Sequence, residues 1–283
     1  MGVGSSKEGP KTPAERAIIR PFCRYRDMKL RPVFLILLCF VIVVTSCKKT
    51  IHYPAPTLTD YFLPLQVGKF AIYRLDSLNF YYYGQLDTIT SYLAKDSVES
   101  SFVDGAGNTA WYVTRYLSDT TGSSWYVGET YTVTPSQQKI EMTEENLRFI
   151  KLAFPLQEGF SWTGNTYLPY APYQDFFDYS DDSHLTLGNW NYTYHSVYKP
   201  FTLGSQSWDS TLTVMQENDS INVPILDPNS FASRTYWSET YAKHIGLVYR
   251  HTEMWEYQPP TPDGTQTGYK IGFQLTMRLV SHN

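Results

Sequence analysis

"KIGFQLTMRL", residues 270–279, alternates without interruption. Ile271, Phe273, Leu275, Met277 and Leu279 fall on one face, and Lys270, Gly272, Gln274, Thr276 and Arg278 on the other. A period of two belongs to an extended strand with one side against a core. The same period recurs upstream. "TAWYVTRYL" (109–117) sets Trp111, Val113 and Leu117 against Tyr112, Thr114 and Tyr116, and "WYVGETYTV" (125–133) groups Trp125, Val127, Tyr131 and Val133. Turn-forming clusters separate the runs, such as "DGAGN" at 104–108 and "PDG" at 262–264. No window carries an amphipathic pattern of three helical turns; "SETYAKHIG" (238–246) is compatible with a single turn. The expected fold class is all-β, a mainly antiparallel sheet forming a sandwich or half-barrel, with little helix.

One internal similarity bears on organisation. "LPLQVGKF" (63–70) and "FPLQEGFS" (154–161) share Pro, Leu, Gln and Gly in register. Proline suits a strand entry where no ladder donor is needed, and glycine permits a tight bend before the strand. Two related β units, 61–150 and 151–283, are one reading, and coincidence over eight residues is the other.

Composition narrows the chemistry. Cys23, Cys39 and Cys47 are the only cysteines, so the 236 residues after Cys47 hold no thiol nucleophile, no internal disulfide and no Cys-ligated metal or iron–sulfur centre. That length suffices for one large domain or two small ones, stable through the core alone. Of 23 Lys/Arg and 27 Asp/Glu, 8 and 3 precede Cys47, which leaves 15 and 24 from Cys47 onward, a net −9. An acidic body does not suit nucleic acid, whose phosphates need a basic face. With 23 Tyr, 12 Phe and 7 Trp after Cys47, the body is expected to fold rather than remain disordered.

The N-terminal region reads differently. "MKLRPVFLILLCFVIVVTSC" (28–47) places two cations, Lys29 and Arg31, before an apolar run from Val33 to Val44. Twelve residues of helix rise about 18 Å, short of the roughly 30 Å hydrocarbon core, so a cleavable secretory signal fits better than a span. Val44-Thr45-Ser46-Cys47 resembles the lipobox of bacterial lipoproteins, with Val for the commoner Leu and Thr-Ser for Ala-Gly. That resemblance implies diacylglycerol on the Cys47 thiol, cleavage before it and acylation of the new amino group. The expected organisation is a gene-model extension at 1–27, a lipoprotein signal peptide at 28–46, a lipidated tether at 47–60 containing two prolines, and an all-β domain at 61–283. "MGVGSS" at the start also matches the myristoylation pattern, a eukaryotic reading that competes with the lipobox. Lys48 and Lys49 replace the Asp that retains some lipoproteins in the inner membrane, so a lipid anchor in the outer membrane of a bacterial cell envelope is expected. "PLQVGKFAIY" (64–73) and "HIGLVYRHTEMW" (244–255) look like patterns in uncharacterised all-β secreted lipoproteins of Gram-negative envelopes, a resemblance that implies an envelope domain and supplies no activity.

Catalytic motifs are absent from the sequence: it contains no G-x-S-x-G, P-loop or H-E-x-x-H. Gly105-Ala106-Gly107 mimics a dinucleotide fingerprint, but strand-forming residues follow, so it reads as a hairpin turn. His251 and Glu253, at i and i+2 of a strand with His244 nearby, offer two metal ligands where a site needs three or four, and a surface pair is the plainer reading. "DFFDYSDDSH" (175–184) gathers four Asp without the Gly and Glu of a calcium loop, and reads as a solvated acidic loop. No cofactor or metal is expected. Glu253 and Glu256 fall on opposite strand faces, a poor arrangement for paired carboxylates. Aromatic clusters are more suggestive. "NFYYYG" (79–84) is expected to pack along the sheet with its hydroxyls in water. "YLPYAPYQDFFDY" (167–179) offers Tyr167, Tyr170, Tyr173, Phe176, Phe177 and Tyr179 as a ligand-binding loop. The leading expectation is a lipoprotein held to the bilayer through Cys47, with a non-enzymatic binding domain for a hydrophobic molecule, a glycan or a protein. The alternatives are a glycan hydrolase using carboxylates among Asp175–Asp182 or Glu253, and a structural subunit of an envelope complex.

Overall fold

The computed structural model describes residues 56–82, 84, 86–169, 172 and 187–283, all within the compact unit Ala55–Asn283. The all-β expectation holds. Twelve strands run in chain order: β1 (Phe70–Tyr81), β2 (Leu86–Val103), β3 (Thr109–Ser118), β4 (Trp125–Pro135), β5 (Lys139–Glu144), β6 (Leu147–Ala153), β7 (Ser161–Thr163), β8 (Asn191–Leu203), β9 (Gln206–Ile221), β10 (Ala232–Ala242), β11 (Gly246–Gln258) and β12 (Tyr269–His282). Their order in the single sheet is β6-β5-β4-β3-β2-β1-β12-β11-β10-β9-β8-β7. Each chain neighbour pairs antiparallel with the next, except at β6 and β7, while β1 and β12 join the two runs through a register from Ala71↔His282 to Asn79↔Phe273.

The two sheet ends approach one another and nearly close a barrel. The Ile150 amide donates to the Gly164 carbonyl at 2.8 Å, and Trp162 Nε1 donates to the Ile150 carbonyl at 2.8 Å. Closure removes the exposed edges that an open sheet would present. Inward alternation then supplies one continuous core. In β12 Met277 and Leu279 are buried and Phe273 and Leu275 pack against the core as the pattern requires, while Ile271 is only half-buried and Thr276, on the other face, is buried too. Much of the aromatic content is used inside as well. Tyr73, Tyr192, Tyr194 and Tyr241 are among the largest fully buried side chains. Their hydroxyls need partners there. Tyr192 donates to Asn165 Oδ1 at 2.6 Å and Tyr194 to the Ala153 carbonyl at 2.7 Å.

Strand alternation makes the two ends unlike. The chain enters at one end through a short 3-10 helix, Leu58–Tyr61, and the extended residues after it. Leu58, Tyr61, Phe62 and Leu63 are all buried there and plug the barrel, with the Phe62 ring 5.9 Å from that of Tyr241 and the Tyr61 hydroxyl 2.8 Å from Ser210 Oγ. Gly246 opens β11 at φ 99° because the plug passes so close: a Cβ there would lie 2.6 Å from the Leu63 nitrogen. The opposite end carries the β1–β2, β3–β4, β5–β6, β7–β8, β9–β10 and β11–β12 connections.

The two PLQxG segments share one hydrogen-bond pattern, although Phe154–Pro155 is cis and Leu63–Pro64 is not. Gln66 N bonds Pro64 O (2.9 Å), Lys69 N bonds Gln66 O (3.0 Å), and Gly68 N bonds Val98 O (2.9 Å); the counterparts are Gln157 to Pro155 (2.9 Å), Phe160 to Gln157 (3.0 Å) and Gly159 to Tyr194 (2.9 Å). Gly68 and Gly159 have φ of 87° and 81°. Each segment leads into a strand, β1 and β7, that begins a six-strand run.

Three expectations need correction. Val127 does not join Tyr131 and Val133 inside: β3 pairs Arg115 with Glu129 but Tyr116 with Val127, so Gly128 is an extra residue, and Val127 is 61% exposed. A bulge of this kind inverts the alternation of everything before it. Residues 238–246 form the end of β10 and the hairpin turn into β11 rather than a helical turn. Within "NFYYYG", Tyr81 and Tyr82 project from the β1–β2 hairpin, Tyr82 at 73% exposure, instead of lying along the sheet.

Candidate functional site

Charged residues interrupt the inward face of several strands. Arg115 stands in phase with Trp111, Val113 and Leu117 on β3; Lys151 follows Leu147 and Phe149 on β6; Arg250 precedes Thr252 and Met254 on β11; Glu239 sits between Trp237 and Tyr241 on β10. Strand periodicity therefore carries these charges inside, where a charge must be paired. Two carboxylates organise the pairing.

Asp96 on β2 receives Arg115 as a fork, Nε at 2.7 Å and Nη2 at 3.0 Å, and a third bond from the Tyr131 hydroxyl at 3.0 Å. The remaining Arg115 nitrogen, Nη1, reaches Glu129 Oε1 at 2.5 Å and Glu144 Oε1 at 2.6 Å. Glu239 accepts four bonds: Lys151 Nζ at 2.6 Å and Arg250 Nε at 2.8 Å on Oε1, Gln216 Nε2 at 2.8 Å and the Tyr241 hydroxyl at 2.5 Å on Oε2. Burial opposes the Glu239 charge, yet Lys151 and Arg250 outweigh it and hold this carboxyl below its ordinary range. Lys151 fares otherwise. Burial lowers its pKa, and the nearby Arg250 charge offsets part of what Glu239 gives back.

Glu129 and Glu144 share one guanidinium nitrogen and are pushed apart in acidity. Burial, then repulsion from Glu144, raises Glu129 to about 7 against the pull of Arg115. Burial also works against Glu144, but Arg115, Arg250 and Lys151 overcome it and bring it to about 2. Near neutrality the pair thus hovers between one negative charge and two.

These groups border a cavity of about 320 Å³ in the half of the barrel away from the plug. Arg115, Glu129, Glu144, Lys151, Glu239 and Arg250 line one part of its wall, and Leu75, Leu117, Phe149, Phe273, Leu275 and Met277 another. A space of this size lies at the lower end of small-molecule sites, and the combination of apolar wall and few polar groups is typical of them. A second, much smaller void of about 20 Å³ lies between the plug and Arg115. It has room for about one water.

Of the residues singled out from sequence, those that are described lie elsewhere. Tyr167 is 46% exposed, on the outer surface, where its hydroxyl meets Lys139 Nζ at 3.1 Å and its ring lies 4.7 Å from the Arg148 guanidinium. Tyr170, Tyr173, Phe176, Phe177, Tyr179, the acidic run 175–184 and Cys47 lie outside the described residues. His251 and Glu253 bond each other at 2.9 Å, and Glu253 also faces Arg234 at 3.4 Å. His251 holds the Glu253 carboxyl below its ordinary value even as burial opposes this, so Glu253 is not the raised-pKa acid that a glycan hydrolase needs. Among the described residues no cluster of three or more His, Cys, Asp or Glu is arranged to hold a metal ion. The interior charges were missed because a charge in a strand normally marks its solvent face; the signal available was their phase with apolar neighbours.

No protein-family model matches the sequence, and no curated protein does. Among solved structures, one similar to it is a Bacteroides fragilis protein assigned as exported, with a YmcC-like fold. It is 11% identical, covers 78% of this chain and all of its own, and superposes with a TM-score of 0.35. A likeness of that extent carries neither ligand nor activity across.

Proposed function

We propose that this protein is an exported, lipid-anchored envelope protein whose barrel binds a small amphipathic molecule in its interior. The cavity of about 320 Å³ carries the reading, because it sets an apolar wall against a group of buried charges inside a barrel that is otherwise well filled. A binding role is favoured over glycan hydrolysis by the same feature. A glycan hydrolase needs carboxyls about 5 to 10 Å apart across a cleft that takes a sugar chain, whereas this space, open toward the β5–β6 turn where the exposed Glu145 borders it, has the volume of a small molecule. Anchoring rests on the sequence from Met28 to Cys47.

Two experiments test the two halves of this proposal. Residues 48–283, which contain the whole compact unit, are expressed in a bacterial periplasm and weighed by native and denaturing mass spectrometry. An excess mass released on denaturation, or saturable binding of the apolar probe N-phenyl-1-naphthylamine, is expected; absence of both sinks the binding role. For the anchor, Cys47→Ala is expected to abolish palmitate labelling and leave an uncleaved precursor. Normal labelling of that variant would overturn the lipid attachment.

A further inference from the structure

The cavity's charges are unevenly satisfied. Glu239 and Asp96 have their bonds filled by Lys151, Arg250, Gln216, Tyr241, Arg115 and Tyr131. Arg250 does not. Its Nε is engaged by Glu239, but Nη1 meets only the Met277 sulfur at 3.8 Å, and among the described residues no oxygen is bonded to either Nη. Thioether sulfur is a weak acceptor, and the guanidinium of a side chain only 12% exposed keeps a preference for a carboxylate or similar anion on its planar fork. The opposite deficit lies at Glu129 and Glu144. Both carboxylates draw on the single Nη1 of Arg115, while Glu145 adds further negative charge beside them. Counted over the network, Asp96, Glu129, Glu144 and Glu239 face Arg115, Lys151 and Arg250, one cation short when all are ionised.

One anion seat, one cation seat and an apolar wall therefore border the same space. Resting on the binding role proposed above, the geometry points to a zwitterion with an apolar body, in chemical class an apolar α-amino acid, its carboxylate on the Arg250 fork and its ammonium on the Glu129–Glu144 pair. A single anion would satisfy Arg250 but deepen the negative excess, and a single cation would leave the fork empty. The volume sets the body: a dry protein cavity of about 150 Å³ takes benzene, so roughly twice that admits a two-ring side chain such as indole.

Three probes of one size separate the alternatives: tryptophan, tryptamine and 3-indolepropionate, titrated calorimetrically into residues 48–283 at about pH 7.5. Tryptophan is expected to bind at least about tenfold more tightly than either one-charge analogue, since each analogue leaves one seat desolvated and unmatched. Arg250→Lys keeps the charge beside Glu239 but removes the fork, and should weaken tryptophan about tenfold while sparing tryptamine. Glu129→Gln keeps the volume and should weaken tryptophan and tryptamine while sparing 3-indolepropionate. Tryptamine or 3-indolepropionate binding as well as tryptophan overturns the zwitterion. If no indole binds but N-phenyl-1-naphthylamine still does, the zwitterion fails and the binding role stands; if neither binds, both fail.

Discussion

Arg115 makes four hydrogen bonds to three carboxylates at 8% side-chain exposure. Removing one partner of a buried pair strands the other charge, at about 3–5 kcal/mol. Arg115→Met should therefore lower unfolding free energy by that amount in urea titration. Combining it with Asp96→Leu should recover part of the loss, because no orphaned Asp96 charge remains; a double variant worse than the sum would contradict this account. Glu129 makes a pH-dependent contribution. Its folded pKa of about 7 exceeds the ordinary 4.5, so the folded state binds the extra proton between those values and stability falls as pH rises from about 4.5 to about 7. Glu144, held at about 2, does the reverse: its contribution is complete above about 4.5 and is lost as pH falls toward about 2. The two contributions are together greatest at about pH 4.5, and thermal midpoints should fall on either side of it. Glu129→Gln should flatten the decline between about pH 5 and 7.5, and an unchanged slope would show that Glu129 is not its source.

Elements of this barrel are set by where glycine lets the backbone turn. Gly68 and Gly159 take positive φ at equivalent points of the two PLQxG segments, with nothing within 4 Å of a Cβ placed on either. Alanine there meets only the left-handed backbone cost of about 1–2 kcal/mol. Gly68→Ala and Gly159→Ala should consequently destabilise by similar amounts, measured by chemical denaturation. Gly246→Ala should cost more, since it adds a contact with the Leu63 backbone to the same strain. Equal effects at all three positions would mean that the plug is not seated against β11. Gly128 illustrates the converse. Glu129, after the bulge, stays in phase with Tyr131 and Val133 and faces inward opposite Arg115, while the extra residue turns Val127, before it, outward.

At the scale of the whole molecule, closure is uneven. β1 and β12 are zipped over nine paired positions, whereas β7 is three residues long and is laddered to β8 alone, with the Ile150–Gly164 bond and the Trp162 indole spanning the seam. Hydrogen exchange should find Ser161–Thr163 the least protected of the strand amides and the β1–β12 ladder among the most protected. Equal protection would show that the seam is as firm as the rest. How far this was legible from sequence differs by feature. Period-two alternation in 270–279 and its relatives determined the all-β class, because side-chain direction in a strand is fixed by local geometry alone. The paired PLQxG segments and the glycine-rich turns were visible for the same reason. Which residues would meet inside was not. The Asp96–Arg115 and Glu239–Arg250 pairs lie 19 and 11 residues apart, but the two groups stand more than a hundred residues from each other, and bulges shift strand phase with no strong local mark. Asp96 and Arg115, Arg115 and Glu129, and Glu239 and Arg250 are cross-strand partners fixed by hairpin register, but the Lys151–Glu239 pair joins β6 to β10 and forms only when the sheet closes into a barrel, which leaves the Arg250 fork and the Glu129–Glu144 pair bordering one cavity.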